Sequence, residues 1–287
     1  MKNLKDFIKE SISNNHSKVC EGYIDADVEE FINSNYQING KLTFNTDKSG
    51  KIVVDCSRTV RVSNKSITSL TNGTFEWGKV DGDFDCKECR NLESLAGAPK
   101  EVGDSFSCSG CNNLINLNGA PQKVKNYFFT DKCENLESLV GAPEEVGGDF
   151  YCDRCTKLET LEGAPKKVGG DFSCPWCFKL ESLVGSPEEV GRHFICRGCK
   201  ELKTLEGAPK KVSGSFICKD CINLESLQGA PKEVGGDFEC RKCTSLETLK
   251  GAPEVLGGDI YCEDCPSLVS LEGVPKTAKI IDGERNI

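Results

Sequence analysis

The side chains in this chain with the plainest capacity for chemistry are cysteines spaced as Cys-x-x-Cys. Seventeen of its 19 cysteines fall into two columns, one from Cys86 to Cys262 and one from Cys89 to Cys265. Two neighbouring pairs could offer four thiolates to a tetrahedral zinc ion, and an iron–sulfur cluster or a thiol-redox array would want the same residues. The competing reading makes each cysteine a small buried hydrophobe, since free cysteine is among the most buried residue types. Three features favour burial. The pairs run on without a separate metal module, Thr130 replaces the first cysteine of its pair, and His16 and His193 are the only histidines. We therefore expect no resident metal or cofactor, with a metal-binding or redox array kept as the alternative.

What must position these cysteines is a repeat. Prolines stand at 99, 121, 143, 165, 187, 209, 231, 253 and 275, every interval being 22. Phenylalanine keeps the same phase from Phe84 to Phe238, and Ile260 follows. The unit reads Phe-x-Cys-x-x-Cys-x-x-Leu-x-x-Leu-x-Gly-Ala-Pro-x-x-Val-Gly-Gly-Asp, and nine consecutive copies predict a solenoid of stacked coils. Alternation within Phe-x-Cys puts Phe and Cys on one face of a short strand. Proline, with a fixed φ and no N–H, predicts an extended or irregular return, and Gly-Gly is expected to make the bend into the next strand. Coils about 4.8 Å apart hold cysteine Cβ atoms beyond the usual disulfide range of about 3.5–4.5 Å. Glu144-Glu145, Lys166-Lys167, Glu188-Glu189 and Lys210-Lys211 alternate in sign, so stacking predicts a ladder of opposite charges.

Phe-x-Cys-x-x-Cys-x-x-Leu resembles the leucine-rich-repeat core, in its cysteine-containing form. Leu-x-x-Leu-x-Gly-x-Pro-x-x-Val resembles the bacterial BspA-like subclass, with a period one residue shorter than usual there. The resemblance covers roughly residues 70 to 281. It implies a right-handed stack with one parallel β-sheet face and an irregular or extended convex side, used for binding other proteins. It also puts the second cysteine column where such repeats carry a ladder of Asn or Cys, whose S–H can donate to a backbone carbonyl.

The expected organisation is an N-terminal helical and β-hairpin cap over 1–66, the solenoid over 67–281 and a tail over 282–287. Apolar spacing predicts short helices at Leu4–Ser11 and Asp27–Ile32, and strands at 38–45 and 51–56 joined by a turn at Asp47–Gly50. Val54-Asp-Cys56 mimics the Phe-x-Cys strand, and Ile67 to Leu70 mimics Leu-x-x-Leu, which suits an atypical first coil shielding the stack. The charged amphipathic opening, over about twelve residues, resembles those of many tailed-phage proteins.

Net charge is −9, which argues against a nucleic-acid partner. There is no apolar run of 18 residues and no apolar signal-peptide core near Met1, so we expect no membrane partner and a reducing bacterial or infected-host cytoplasm. No Ser/His/Asp set, His-Glu-x-x-His, P-loop or dinucleotide fingerprint occurs, and no enzyme activity is expected. Structural columns carry no partner information, so function is sought on the exposed strand positions beside each Phe. Tyr127, Phe129 and Tyr151 lie in adjacent coils, and so do Ile195 and Ile217. Trp176 of Cys174-Pro-Trp-Cys177 is expected near the same edge, with His193 and Tyr261 in the same columns. These eight residues are the candidate protein-binding face. They could equally be cross-strand neighbours that stabilise the sheet. Asp149, Asp171, Asp237 and Asp259 are read as turn formers.

Overall fold

The computed structural model describes residues 26–276 and 278–283. The expected helix at Leu4–Ser11, the phage-like opening and Cys20 lie outside the described residues, as does most of the expected tail.

The chain winds into a β-solenoid of about ten turns. Each regular coil contributes two short strands, and these stack into two ladders. A 12-stranded sheet collects the Phe-x strands, from Phe84–Asp85 through Ile260–Tyr261 to Ile280–Ile281. An 11-stranded sheet collects the x-Val strands, such as Glu145–Val146 and Lys167–Val168, ending at Val255–Leu256. The single sheet expected from the resemblance is therefore joined by a second. Pro165 and its equivalents from Pro99 to Pro253 are buried, and proline leaves the chain extended there. The two residues before Val then pair with the preceding coil, as when Lys166 N–H donates to Glu144 C=O at 2.8 Å.

Equivalent residues sit in register 22 apart, Phe128 on Phe150 on Phe172 and Val146 on Val168 on Val190. The inward columns are closed to water: the in-phase phenylalanines from Phe84 to Phe238, both Leu columns through Leu249 and the Cys columns through Cys243 have no exposed surface. Successive rings stack nearly parallel, for example Phe194 and Phe216 with centroids 5.1 Å apart and planes at 3°. A narrow coil thus buries a continuous apolar stripe, with each layer covering the next.

Glycine works differently from the sequence expectation. Left-handed φ belongs to the glycine before Ala-Pro, as at Gly163 (φ 86°), where Ala164 N–H closes a turn onto Leu161 C=O at 2.9 Å. That is the type II turn position that favours glycine. Gly147, in Gly-Gly, instead answers a close approach: a Cβ there would stand 2.0 Å from the Lys125 carbonyl oxygen of the coil below.

The N-terminal cap begins with helix α1 (Ala26–Asn35), which buries Val28 and Ile32. A hairpin forms from Leu42–Thr46 and Ile52–Cys56, but the start of the first strand expected over 38–45 belongs to a separate strand, Tyr36–Asn39, which pairs antiparallel with Thr59–Val62. The hairpin's second strand joins the valine sheet, with Val54 opposite Trp77, so Val54-Asp-Cys56 does not take the Phe-x-Cys place. Thr59–Val62 does, with Val60 opposite Phe84 and Arg61 opposite Asp85. Residues Phe31, Tyr36, Phe75, Trp77 and Phe84 close the end of the stack as an edge-to-face aromatic cluster. No helix among the described residues is long and apolar enough to cross a membrane.

Candidate protein-binding face

The thiols face inward. All 18 described cysteines are buried. In the second column each Sγ–H from Cys111 onward donates to the carbonyl of the residue at the first-column position one coil back: Cys111 to Cys86 at 3.2 Å, Cys177 to Cys152 at 3.3 Å, Cys243 to Cys218 at 3.3 Å. Thr130 is also buried, and its carbonyl accepts from Cys155 at 3.2 Å. The column thus joins consecutive coils through carbonyls that the strands leave free. Burial pushes the thiols of Cys152, Cys155, Cys199, Cys218 and Cys240 well above their ordinary range. Such groups stay protonated, whereas reactive or metal-binding cysteines need the thiolate. Among the described residues no three His, Cys, Asp or Glu side chains are grouped to hold a metal ion.

The outward side of the phenylalanine sheet carries two variable columns. From Asp149 onward the residue before each Phe forms a polar ladder. Its side chain accepts the backbone N–H of the same position one coil on: Asp149 from Asp171 at 2.8 Å, Asp171 from His193 at 2.9 Å, Asp237 from Asp259 at 3.0 Å. The aspartates therefore hold coil to coil rather than shaping only their own bend. His193 stands in this ladder too, with Nδ1 accepting the Ser215 N–H at 3.0 Å. That contact places its proton on Nε2.

Tyr127, in the same column, is 42% exposed. Its ring lies 5.9 Å from that of Phe129, which stacks on Tyr151 at 5.3 Å with planes 7° apart. Phe129 and Tyr151 are half-buried. The Tyr151 hydroxyl donates to Asp149 at 2.9 Å, and burial together with Asp149, Asp171 and Asp153 holds the phenol well above its ordinary range. Ile195 and Ile217 are paired in register two coils further on, with Ser173 between Tyr151 and Ile195. Buried Ser173 donates to Asp153 at 2.8 Å and divides the aromatic group from the isoleucines.

Trp176 adopts left-handed φ (63°) at the turn between its cysteines. Arg197 covers its ring at 5.1 Å, and Phe178 meets it edge-on at 6.4 Å. Tyr261 lies further along the face beneath Arg241, whose guanidinium carbon is 4.4 Å from the ring centroid. The eight candidates therefore divide into an aromatic trio, an isoleucine pair, the Trp176 turn, the ladder residue His193 and an Arg-covered tyrosine. Sequence reading passed over exposed Phe178 and the column just after the first cysteine. That column holds Asp131, Asp153, Arg197 and Arg241, and its changes of residue type within a strict repeat were the available signal.

Set against family models, curated proteins and solved structures, the chain matches none.

Proposed function

We propose that this chain is a non-catalytic scaffold that binds another protein through the outward side of its phenylalanine sheet, between Tyr127 and Ile217. The observation that carries this reading is the Phe129–Tyr151 stack, flanked by Tyr127, on strand positions that other coils fill with Ser107 or Ser173. Nothing in coil packing requires aromatic rings there, and rigid half-exposed aromatics are typical binding anchors. The cysteine-containing leucine-rich-repeat likeness suits the same role, as would a bacterial or phage setting. Nineteen thiols fit a reducing cytoplasm.

Recovery of a partner from an extract of the source cells tests the proposal. The tagged chain is compared with a variant combining Phe129→Asp and Trp176→Ala. We expect recovery to fall by ~10-fold or more, the usual consequence of losing a central aromatic anchor. Undiminished recovery removes this face from consideration.

A further inference from the structure

Tyr261 and Tyr151 occupy the same position in coils five repeats apart, and so do three of their neighbours. Beside Tyr261, Arg241 lies over the ring at 4.4 Å. Its Nε donates to Glu263 at 2.9 Å, and its head group is 3.9 Å from Glu239. Tyrosine and Glu263 together form a seat for a guanidinium, one face on the ring and one edge on a carboxylate.

Beside Tyr151 the seat recurs without its arginine. Asp153 stands where Glu263 stands, Phe129 replaces Glu239, and Asp131 takes the place of Arg241. Asp153 lies close enough to act electrostatically on the Tyr151 phenol. Asp131 accepts the Asp153 N–H at 3.1 Å and faces Ser109 at 3.3 Å. Among the described residues, no lysine or arginine comes within ion-pair distance of Asp131 or Asp153, while Arg197, Arg241 and Asp171 on the same face all have ion-pair partners. No cation among the described residues thus covers the ring: Phe129 stacks on one face of it, and two carboxylates without an ion-pair partner stand beside it.

From this internal comparison we infer that Tyr151, Phe129, Asp131 and Asp153 form a receptor for an arginine side chain of the partner protein. The inference rests on the scaffold reading and adds the partner's chemistry: an exposed segment bearing arginine, drawn in by the carboxylates and held flat against the tyrosine.

The test uses the whole chain and a fluorescein-labelled dodecapeptide of alternating arginine and glycine, read by anisotropy. A matched peptide with citrulline for arginine keeps the shape but lacks the charge. The decisive variant is Asp131→Arg, which copies the Arg241 arrangement and should fill the seat from within. Tyr151→Ser installs the residue that coils 107 and 173 already tolerate. Glu145→Arg makes the same charge change on the exposed side of the valine sheet. Circular dichroism checks that each variant is folded.

We expect saturable binding of the arginine peptide and ~10-fold or weaker binding of the citrulline peptide. Asp131→Arg and Tyr151→Ser should each lose ~10-fold or more, and Glu145→Arg less than ~3-fold, as screened long-range attraction would give. Absence of binding to the wild type, equal binding of the citrulline peptide, or equal losses for Asp131→Arg and Glu145→Arg would each overturn the inference. If Phe129→Asp with Trp176→Ala still abolishes partner recovery while the peptide results fail, the scaffold reading stands and the arginine receptor falls. If both fail, both fall.

Discussion

The indole of Trp176 lies over the bare α-carbon of Gly198 in the next coil: a Cβ on Gly198 would stand 2.3 Å from indole Cε3. Both residues hold left-handed φ, at 63° and 72°. Other coils place Lys132, Arg154 or Lys242 at this position, so the backbone accepts a side chain there. What excludes one at 198 is the indole itself.

Gly198→Ala should therefore destabilise the chain by about 2–3 kcal/mol, the sum of left-handed strain and overpacking. In a Trp176→Ala background the same change should cost only about 1 kcal/mol. Denaturant unfolding of the four proteins measures the coupling. Equal costs in both backgrounds would show that the indole does not dictate the glycine.

His193 tests the polar ladder. Replacing it with Leu leaves the Ser215 N–H without its acceptor, and we expect a loss of about 1–3 kcal/mol. His193→Ser should restore most of that stability, because Ser215 already accepts the Asp237 N–H at 3.1 Å by its hydroxyl. A loss of partner recovery with intact stability in His193→Ser would show that this residue contacts the partner as well as holding the ladder.

The buried thiols make alkaline stability informative. The folded pKa of Cys152, Cys155 and Cys240 lies above the unfolded value, so the folded chain holds more protons at these thiols once pH passes the unfolded thiol pKa, near 8.5. Stability then falls as pH rises, by about 1.4 kcal/mol per pH unit for each such thiol. We expect a steep decline between about pH 8.5 and 10.5. Ellman titration should find the thiols slow to react in the native chain, and all 19 reactive after unfolding. Elemental analysis completes the test, since stoichiometric zinc or iron would favour the metal-array alternative.

Asp153 gives a second pH signature. Burial raises its carboxyl to about 6, although the Ser173 hydroxyl opposes the rise. The folded chain binds the extra proton between the unfolded value, about 3.9, and that raised one. Its charge therefore costs stability at pH 7, and the cost is relieved as pH falls to 5. Asp153→Asn should stabilise the chain at pH 7 and lose that advantage by pH 5, read as the difference between two urea midpoints. An advantage that does not change with pH would show that Asp153 carries no raised carboxyl.

The stack and its filling were legible in the order of the residues alone. Once Pro99 to Pro275 recur every 22 residues, each column must lie on itself in the next coil, and Phe, Cys and Leu have nowhere to go but inward. The same order also determined the charge ladder, for Glu145 lies opposite Lys167 and Lys167 opposite Glu189. The helix over Asp27–Ile32 was legible from its apolar spacing. The second sheet was not, because a two-residue strand such as Lys167–Val168 is too short to show a period. Tertiary structure also decided which residues meet across coils. A 22-residue spacing shows that His193 lies beside Ser215, but only the path of the backbone turns Nδ1 onto the Ser215 N–H. The direction in which each strand-face side chain leans decides that Arg241 reaches Tyr261. Contacts of that kind, made between layers and not along the chain, distinguish a tyrosine covered by an arginine from the one at 151, which stacks on Phe129 instead.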